Sequence, residues 1–219
     1  MRAKYRFVFF DVDSTLVTIE GIDVLAAGNP EIVRLVVDLT DAAMNGEIAL
    51  DEVYGRRLEL IRPTLADVQN LGTTYTRSLV DGAEETIAAL QDAGVDVHLV
   101  TAGIAQAIAP LAEKLRIAPR AVHAVPLQFD EAGNYKDFDR RSLLARRGGK
   151  ELVVRAILTR AKGRAAFVGD GVSDLEAKPV VDLFIGFGGV CVRERVKENA
   201  EVYVTAPTLS AVLPYLLEP

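Results

Sequence analysis

Residues 5–10, dominated by Tyr5, Phe7, Val8, Phe9 and Phe10, form an aromatic and β-branched run. Such a run predicts a strand buried on both faces of a parallel sheet. Two comparable runs follow, at 95–100 before Thr101-Ala102-Gly103 and at 165–168 before Gly169-Asp170-Gly171. Shorter ones occupy 183–186 and 202–204. Helical periodicity separates them. Ala83, Ile87 and Leu90 share one stripe that stops at Gly94, a natural residue for a left-handed helix end. Leu152, Ala156 and Leu158 mark a helix over 149–161. Strand and helix in this alternation predict an α/β fold, a Rossmann-like parallel sheet with right-handed crossovers.

One region breaks the rhythm. Between about residues 20 and 76 the pattern is helical only. Asn29-Pro30 supplies a cap and a first-turn proline, and Ile32, Leu35, Val36, Leu39 and Ala43 mark the face that follows, closed by Asn45-Gly46. Val53, Leu58 and Ile61 mark a second helix over 50–61, and Thr64 with Asp67 forms a capping-box start for a third. These helices predict an all-helical cap, 18–76, inserted after the first strand of a core made of 1–17 and 77–219. Around 128–137 the turn-rich centre between Phe129 and Tyr135 predicts a small hairpin.

The chain has 219 residues, half of them hydrophobic, enough for one full domain and a second small one. Its net charge of −6 argues against nucleic acid as a partner, which calls for a concentrated basic face. Arg140–Arg141 and Arg146–Arg147 form a compact basic patch that reads as solvated surface. The single cysteine, Cys191, allows no intrachain disulfide and fits a reducing compartment; it reads as an inert core thiol, and His98 and His123 read as structural. No apolar run approaches membrane length. A soluble cytoplasmic protein without a membrane partner is expected.

Carboxylates gather at the strand ends: Asp11 and Asp13 after the first, Asp170 and Asp174 after the strand at 165–168. In an open α/β sheet, ligands bind in the crevice beyond the carboxyl ends of the strands. Grouped carboxylates there call for a cation, and an oxygen-only donor set suits Mg²⁺ beside phosphate. Thr101 and Gly103 end another strand, where a hydroxyl and free N–H groups can hold phosphoryl oxygens. Lys150 follows Gly148-Gly149 at a helix start, where a cation is disfavoured unless an anion lies nearby.

Four segments resemble, in order, the four motifs of the haloacid dehalogenase superfamily. They are Phe10-Asp11-Val12-Asp13-Ser14-Thr15-Leu16, Thr101-Ala102-Gly103, Gly148-Gly149-Lys150 and Gly169-Asp170-Gly171-Val172-Ser173-Asp174. Leu58-Glu59-Leu60-Ile61 and Phe184-Ile185-Gly186-Phe187-Gly188-Gly189 extend the resemblance, through nearly the whole chain, to the branch that hydrolyses O-phospho-L-serine.

The resemblance implies a Mg²⁺-dependent phosphomonoester hydrolase with Asp11 as nucleophile, forming an aspartyl-phosphate, and Asp13 as acid and then base. It implies metal ligation by Asp11, Asp170 and the backbone carbonyl of Asp13, supported by Asp174. Thr101, Ala102, Gly103, Lys150 and Ser173 would hold the phosphoryl group and substrate. Glu20 and Arg57 would grip a substrate ammonium and carboxylate, with Met44 as an apolar wall. Ala102 stands where the family often has a second glycine, Thr101 where serine is common, and Ser173 where asparagine or threonine is common. Another small phosphomonoester, such as phosphoethanolamine, phosphohomoserine or a sugar phosphate, is the alternative substrate, since selectivity lies in the cap. Dehalogenase chemistry needs neither the metal set nor the acid at Asp13, and a silent binding module would not require the full catalytic set.

Overall fold

The computed structural model describes residues 2–45, 47–48 and 50–218, apart from the side chains of Met44 and Leu50. Two strands, β1 (Arg2–Ala3) and β2 (Phe7–Phe10), precede the helices α1 (Gly21–Ala26), α2 (Pro30–Met44), α3 (Leu50–Ile61) and α4 (Leu65–Arg77). Alternation then sets in with α5 (Ala83–Asp92), β3 (Asp96–Ile104), α6 (Ala105–Lys114) and β4 (Val122–Val125). The hairpin β5 (Leu127–Phe129) and β6 (Tyr135–Phe138) leads to α7 (Gly149–Arg160), β7 (Ala165–Gly169) and α8 (Val172–Leu175). The chain ends through β8 (Leu183–Phe187), α9 (Glu194–Asn199), β9 (Val202–Val204), α10 (Leu213–Leu216) and β10 (Leu217–Glu218).

Six strands form one parallel sheet in the order β4-β3-β2-β7-β8-β9. The chain builds outward from β2 to β4, then returns to the other side of β2 with β7. This α/β Rossmann-like arrangement places its switch point between β2 and β7, where the carboxyl ends open a crevice. The aromatic runs explain the sheet's centre. Phe9 stacks on Phe167 at 6.4 Å and Phe167 on Phe184 at 6.0 Å, all fully buried. Each such ring contributes ~1.5–3 kcal/mol by leaving water. Outside the sheet, β1 pairs with β10, and β5 with β6 about the turn at Asp130.

The helical insertion leaves and rejoins the core at one place. Val17 bridges Leu79 antiparallel, and the Thr18 N–H donates to Ser78 O at 2.8 Å. Asn29 caps α2 by accepting from the Glu31 N–H at 3.1 Å, and the Thr64–Asp67 capping box opens α4. Gly72 on α4 lets that helix lie close on α6: a side chain there would crowd Pro110 and the Ala107 carbonyl. Among the described residues, no helix is long and apolar enough to cross a membrane.

Three local expectations are corrected. Among the described side chains of α2 the buried ones are Val36, Leu39, Thr40 and Ala43, so Leu35, one position off that stripe, is 40% exposed. On α7 the buried side chains are Lys150 and Val154, four apart, while Leu152 is 46% exposed and Ala156 is exposed. A lysine turned toward the site fixes that helix's inner face, so the apolar pattern points elsewhere. Cys191 is half-buried rather than in the core. His98 and His123 sit on adjacent strands, half-buried, with Nδ1 and Nε2 3.3 Å apart.

Candidate active site

The carboxyl ends of β2, β3 and β7 and the start of α7 converge on one cleft. Asp11 directly follows β2, its N–H donating to Val168 O of β7 at 3.0 Å. The chain then turns sharply, with Ser14 at φ +51°, a strained backbone typical of functional turns. Thr101, Ala102 and Gly103 lie where the β3–β4 register shifts, so their backbone leaves the ladder. The Gly103 N–H donates to Thr101 Oγ1 at 2.9 Å. Asp170 and Asp174 follow β7. Gly169 lacks the Cβ that would collide with the Asp174 carboxylate, which accepts from the Gly171 N–H at 2.8 Å.

Charge dominates the arrangement. Lys150, with its side chain 4% exposed, stands 2.9 Å from Asp11 Oδ1 and also donates to Asp174 Oδ1. Asp170 accepts from Thr15 Oγ1 at 3.0 Å and from Arg193 Nε at 3.1 Å. Asp11, Asp170 and Asp174 are buried, each offering an oxygen within 4.8 Å of the others. Burial, then the neighbouring Asp11, pushes Asp174 up to about 8 and Asp170 up to about 6. Burial works against the charge on Lys150, but Asp11 and Asp174 outweigh it and hold the ammonium protonated. Carboxylates so placed resist ionising together unless a cation joins them. The donor set is all oxygen and of the right density, so it fits a hard divalent ion.

Asp13 lines the same cleft, half-buried. Its Oδ1 accepts from the Gly21 N–H at 2.8 Å and the Tyr75 hydroxyl at 2.7 Å. Burial and the neighbouring Asp11 raise it to about 7, a value suited to exchanging protons near neutrality.

The insertion supplies the opposite wall. Glu20 accepts from Ser14 Oγ at 2.7 Å and is pushed well up by burial and Asp13. Arg57, buried on α3, donates to Thr40 Oγ1 at 3.1 Å and lies over the Tyr54 ring at 5.9 Å. Its Nε is buried and has no partner among the described residues, a donor that a ligand acceptor would satisfy. The cleft encloses about 40 Å³.

The structure thus brings Asp11, Asp13, Glu20, Arg57, Thr101, Ala102, Gly103, Lys150 and Ser173 to one cleft, with Asp170 and Asp174 at its floor. The Met44 side chain lies outside the described residues. Arg193 escaped the sequence reading. It is 5% exposed and ties Asp170 to Glu20 at 3.7 Å and Asp41 at 3.9 Å, with Nη1 donating to Asn45 at 3.4 Å. Its position just beyond Gly188-Gly189, at the carboxyl end of another strand, was the available signal. Tyr75 had none, because its spacing from Val68 and Leu71, also buried on α4, is that of any packing face.

A family model for haloacid dehalogenase-like hydrolases matches residues 5–177. The phosphoserine phosphatase of Bos taurus is 38% identical over 201 residues, covering 90% of this chain and 88% of the bovine one. The structure of a phospho-aspartyl intermediate analogue of phosphoserine phosphatase superposes with a TM-score of 0.84 and 26% identity, covering 98% of this chain and 100% of its own. A substrate-bound phosphoserine phosphatase complex gives a TM-score of 0.85 and 25% identity over 98% and 99% of the two chains.

Proposed function

The chain belongs to the haloacid dehalogenase-like hydrolases, and on that footing we propose that it is a Mg²⁺-dependent phosphoserine phosphatase. It hydrolyses O-phospho-L-serine to L-serine and phosphate through an aspartyl-phosphate on Asp11. One observation carries this reading. A single cleft joins Asp11, Asp13, Thr101 and Lys150 from the core to Glu20 and Arg57 on the insertion.

An Asp11 carboxylate oxygen attacks phosphorus while the bond to the serine oxygen breaks. Asp13 gives its proton to that oxygen, since a serine alkoxide is a poor leaving group. Water then attacks the phosphorus of the aspartyl-phosphate, Asp13 takes the water's proton, and phosphate departs with Asp11 restored. Lys150, the Thr101 hydroxyl and the N–H groups of the Thr101–Gly103 turn hold the phosphoryl oxygens, so that catalysis is chiefly positioning and charge stabilisation. Asp11, Asp170 and the Asp13 carbonyl, with Asp174 behind them, would hold Mg²⁺, which supplies positive charge against the phosphoryl oxygens.

Glu20 faces the substrate ammonium and Arg57 its carboxylate, a role supported by the unpartnered Arg57 Nε. Residues 18–76 serve as the cap over a core of 1–17 and 77–219. A cleft of about 40 Å³ holds on the order of three water molecules, so the part of the cap not anchored on α6 lifts to admit substrate and closes to exclude water. The lone Cys191, which forms no intrachain disulfide, supports a cytoplasmic setting.

The test is phosphate release from L-phosphoserine, phosphothreonine, phosphoethanolamine and 3-phosphoglycerate, with and without Mg²⁺, alongside Asp11→Asn. Preference for phosphoserine, abolished by chelator and by Asp11→Asn, is the expected result. Preference for phosphoethanolamine, which has no carboxylate for Arg57, would retain the chemistry and refute the substrate.

A further inference from the structure

We propose that Tyr75 is a positioning residue that fixes which oxygen of Asp13 exchanges the reacting proton. The inference rests on the phosphatase reading and goes beyond it, because it concerns a residue of the insertion that lines the cleft and bonds to the acid itself.

The phenol of Tyr75, 1% exposed on α4, crosses to the core and donates to Asp13 Oδ1 at 2.7 Å. The same oxygen accepts from the Gly21 N–H at 2.8 Å. A carboxylate oxygen offers two acceptor positions, so Oδ1 is saturated and the transferable proton belongs to Oδ2. That second oxygen faces the phosphoryl cradle. It and Thr101 Oγ1 flank the spot where a Cβ on Gly103 would lie, at 3.3 Å and 3.2 Å from it.

The clamp is built into the chain at both ends. A Cβ at position 21 would collide with the Tyr75 hydroxyl, so the glycine there leaves the passage open. α4 lies on core helix α6, with Gly72 against Pro110 and the Ala107 carbonyl, and Val68 and Leu71 are buried alongside Tyr75. The hydroxyl therefore arrives from a fixed part of the insertion. Without it, the carboxyl group can turn and present the wrong oxygen, and misplacement by ~1 Å can reduce rates ~100-fold.

The clamp acts through the acid, so its loss should depend on how much the leaving group needs a proton. Serine needs one; the leaving groups of 2,4-dinitrophenyl phosphate and p-nitrophenyl phosphate depart without it. The experiment compares kcat/KM, which reports steps through the first phosphoryl transfer, for phosphoserine and these activated esters in wild type, Tyr75→Phe and Gly21→Ala. Tyr75→Phe should reduce kcat/KM for phosphoserine ~10–100-fold, within the range of general acid catalysis, and that for the activated esters less than about threefold. Gly21→Ala, which displaces the hydroxyl, should show the same selectivity, and combining the two should add little. Equal losses on both kinds of ester, or no loss on phosphoserine, overturn the clamp while leaving the phosphatase reading intact. A wild-type protein that cleaves none of the esters overturns both.

Discussion

Replacing Lys150 by methionine keeps the length of the side chain and removes the ammonium. In the native protein that ammonium is 2.9 Å from Asp11 and donates to Asp174, with its side chain 4% exposed. Its loss leaves Asp11, Asp170 and Asp174 buried, with oxygens within 4.8 Å of one another and, among the described residues, Arg193 as the cation still paired to them. Removing one partner of a buried ion pair destabilises by ~3–5 kcal/mol. For a chain of this size ~1 kcal/mol moves Tm by ~2–4 °C, so Lys150→Met should melt ~6–20 °C below wild type in chelator. Mg²⁺ at 100 times its Kd should raise the variant's own stability by about 2.7 kcal/mol, as it does that of wild type. Lower pH should narrow the gap between them, because the uncompensated carboxylates take up protons. Scanning calorimetry in EDTA and in Mg²⁺, at pH 7.5 and 5.5, measures all of this. A Tm within 2 °C of wild type in EDTA would refute the reasoning, whatever happened to activity.

Three further outcomes are expected. Arg193→Gln should speed hydrogen exchange in α1 and α2 while leaving α4 protected, because Arg193 ties Asp170 to Glu20, Asp41 and Asn45, and α4 is anchored on α6 instead; Asp41→Asn, on the exposed side of that link, should change stability by less than ~1 kcal/mol. Burial and then the neighbouring His98 hold His123 down to about 4, against an ordinary value of 6.5, so the unfolded chain binds the proton first as pH falls. Stability from this pair is therefore full above pH 6.5 and lost between there and pH 4; since His123 is partly exposed, His123→Gln should flatten that acid limb by only ~1–2 kcal/mol in urea titrations.

Strand positions were legible because a strand buried on both faces leaves little choice of residue: Phe7 to Phe10 can hardly be anything else. The site was legible for a related reason. Carboxylates at strand ends are poorly tolerated without a purpose, so Asp11, Asp170 and Asp174 stand out from sequence alone. Helix faces were less legible where the site overrode hydrophobic pattern, as on α7, whose inner face is set by Lys150 and which leaves Leu152 exposed. Residues acting across the fold were illegible. Tyr75 and Asp13 are 62 positions apart, and nothing local in either segment indicates that they meet. Arg193 reads as one more charge before a helix until the sheet order brings β8 beside β7.

The charges around the cleft explain why these elements hold together only in combination. Asp11, Asp13, Glu20, Asp23, Asp170 and Asp174 face Lys150, Arg57 and Arg193. Three positive charges are missing if every carboxylate ionises. On the proposed mechanism a divalent ion supplies two, and a proton retained on Asp13 supplies the third, the state that the first transfer would require of it. When no ion is bound, protons take its place, and the high values of Asp13, Asp170 and Asp174 express that substitution. The insertion strengthens each of these interactions by excluding water, since charges in a low-dielectric cleft interact far more strongly than in solvent. It also brings Tyr75 to Asp13 and Arg57 into the cleft. Anchored on α6, α4 thus sets which Asp13 oxygen is left free, while closure of the rest of the insertion would set the site's dielectric and, on the proposed reading, the selectivity for a carboxylate, so a ligand that fails to satisfy Arg57 would also weaken that closure.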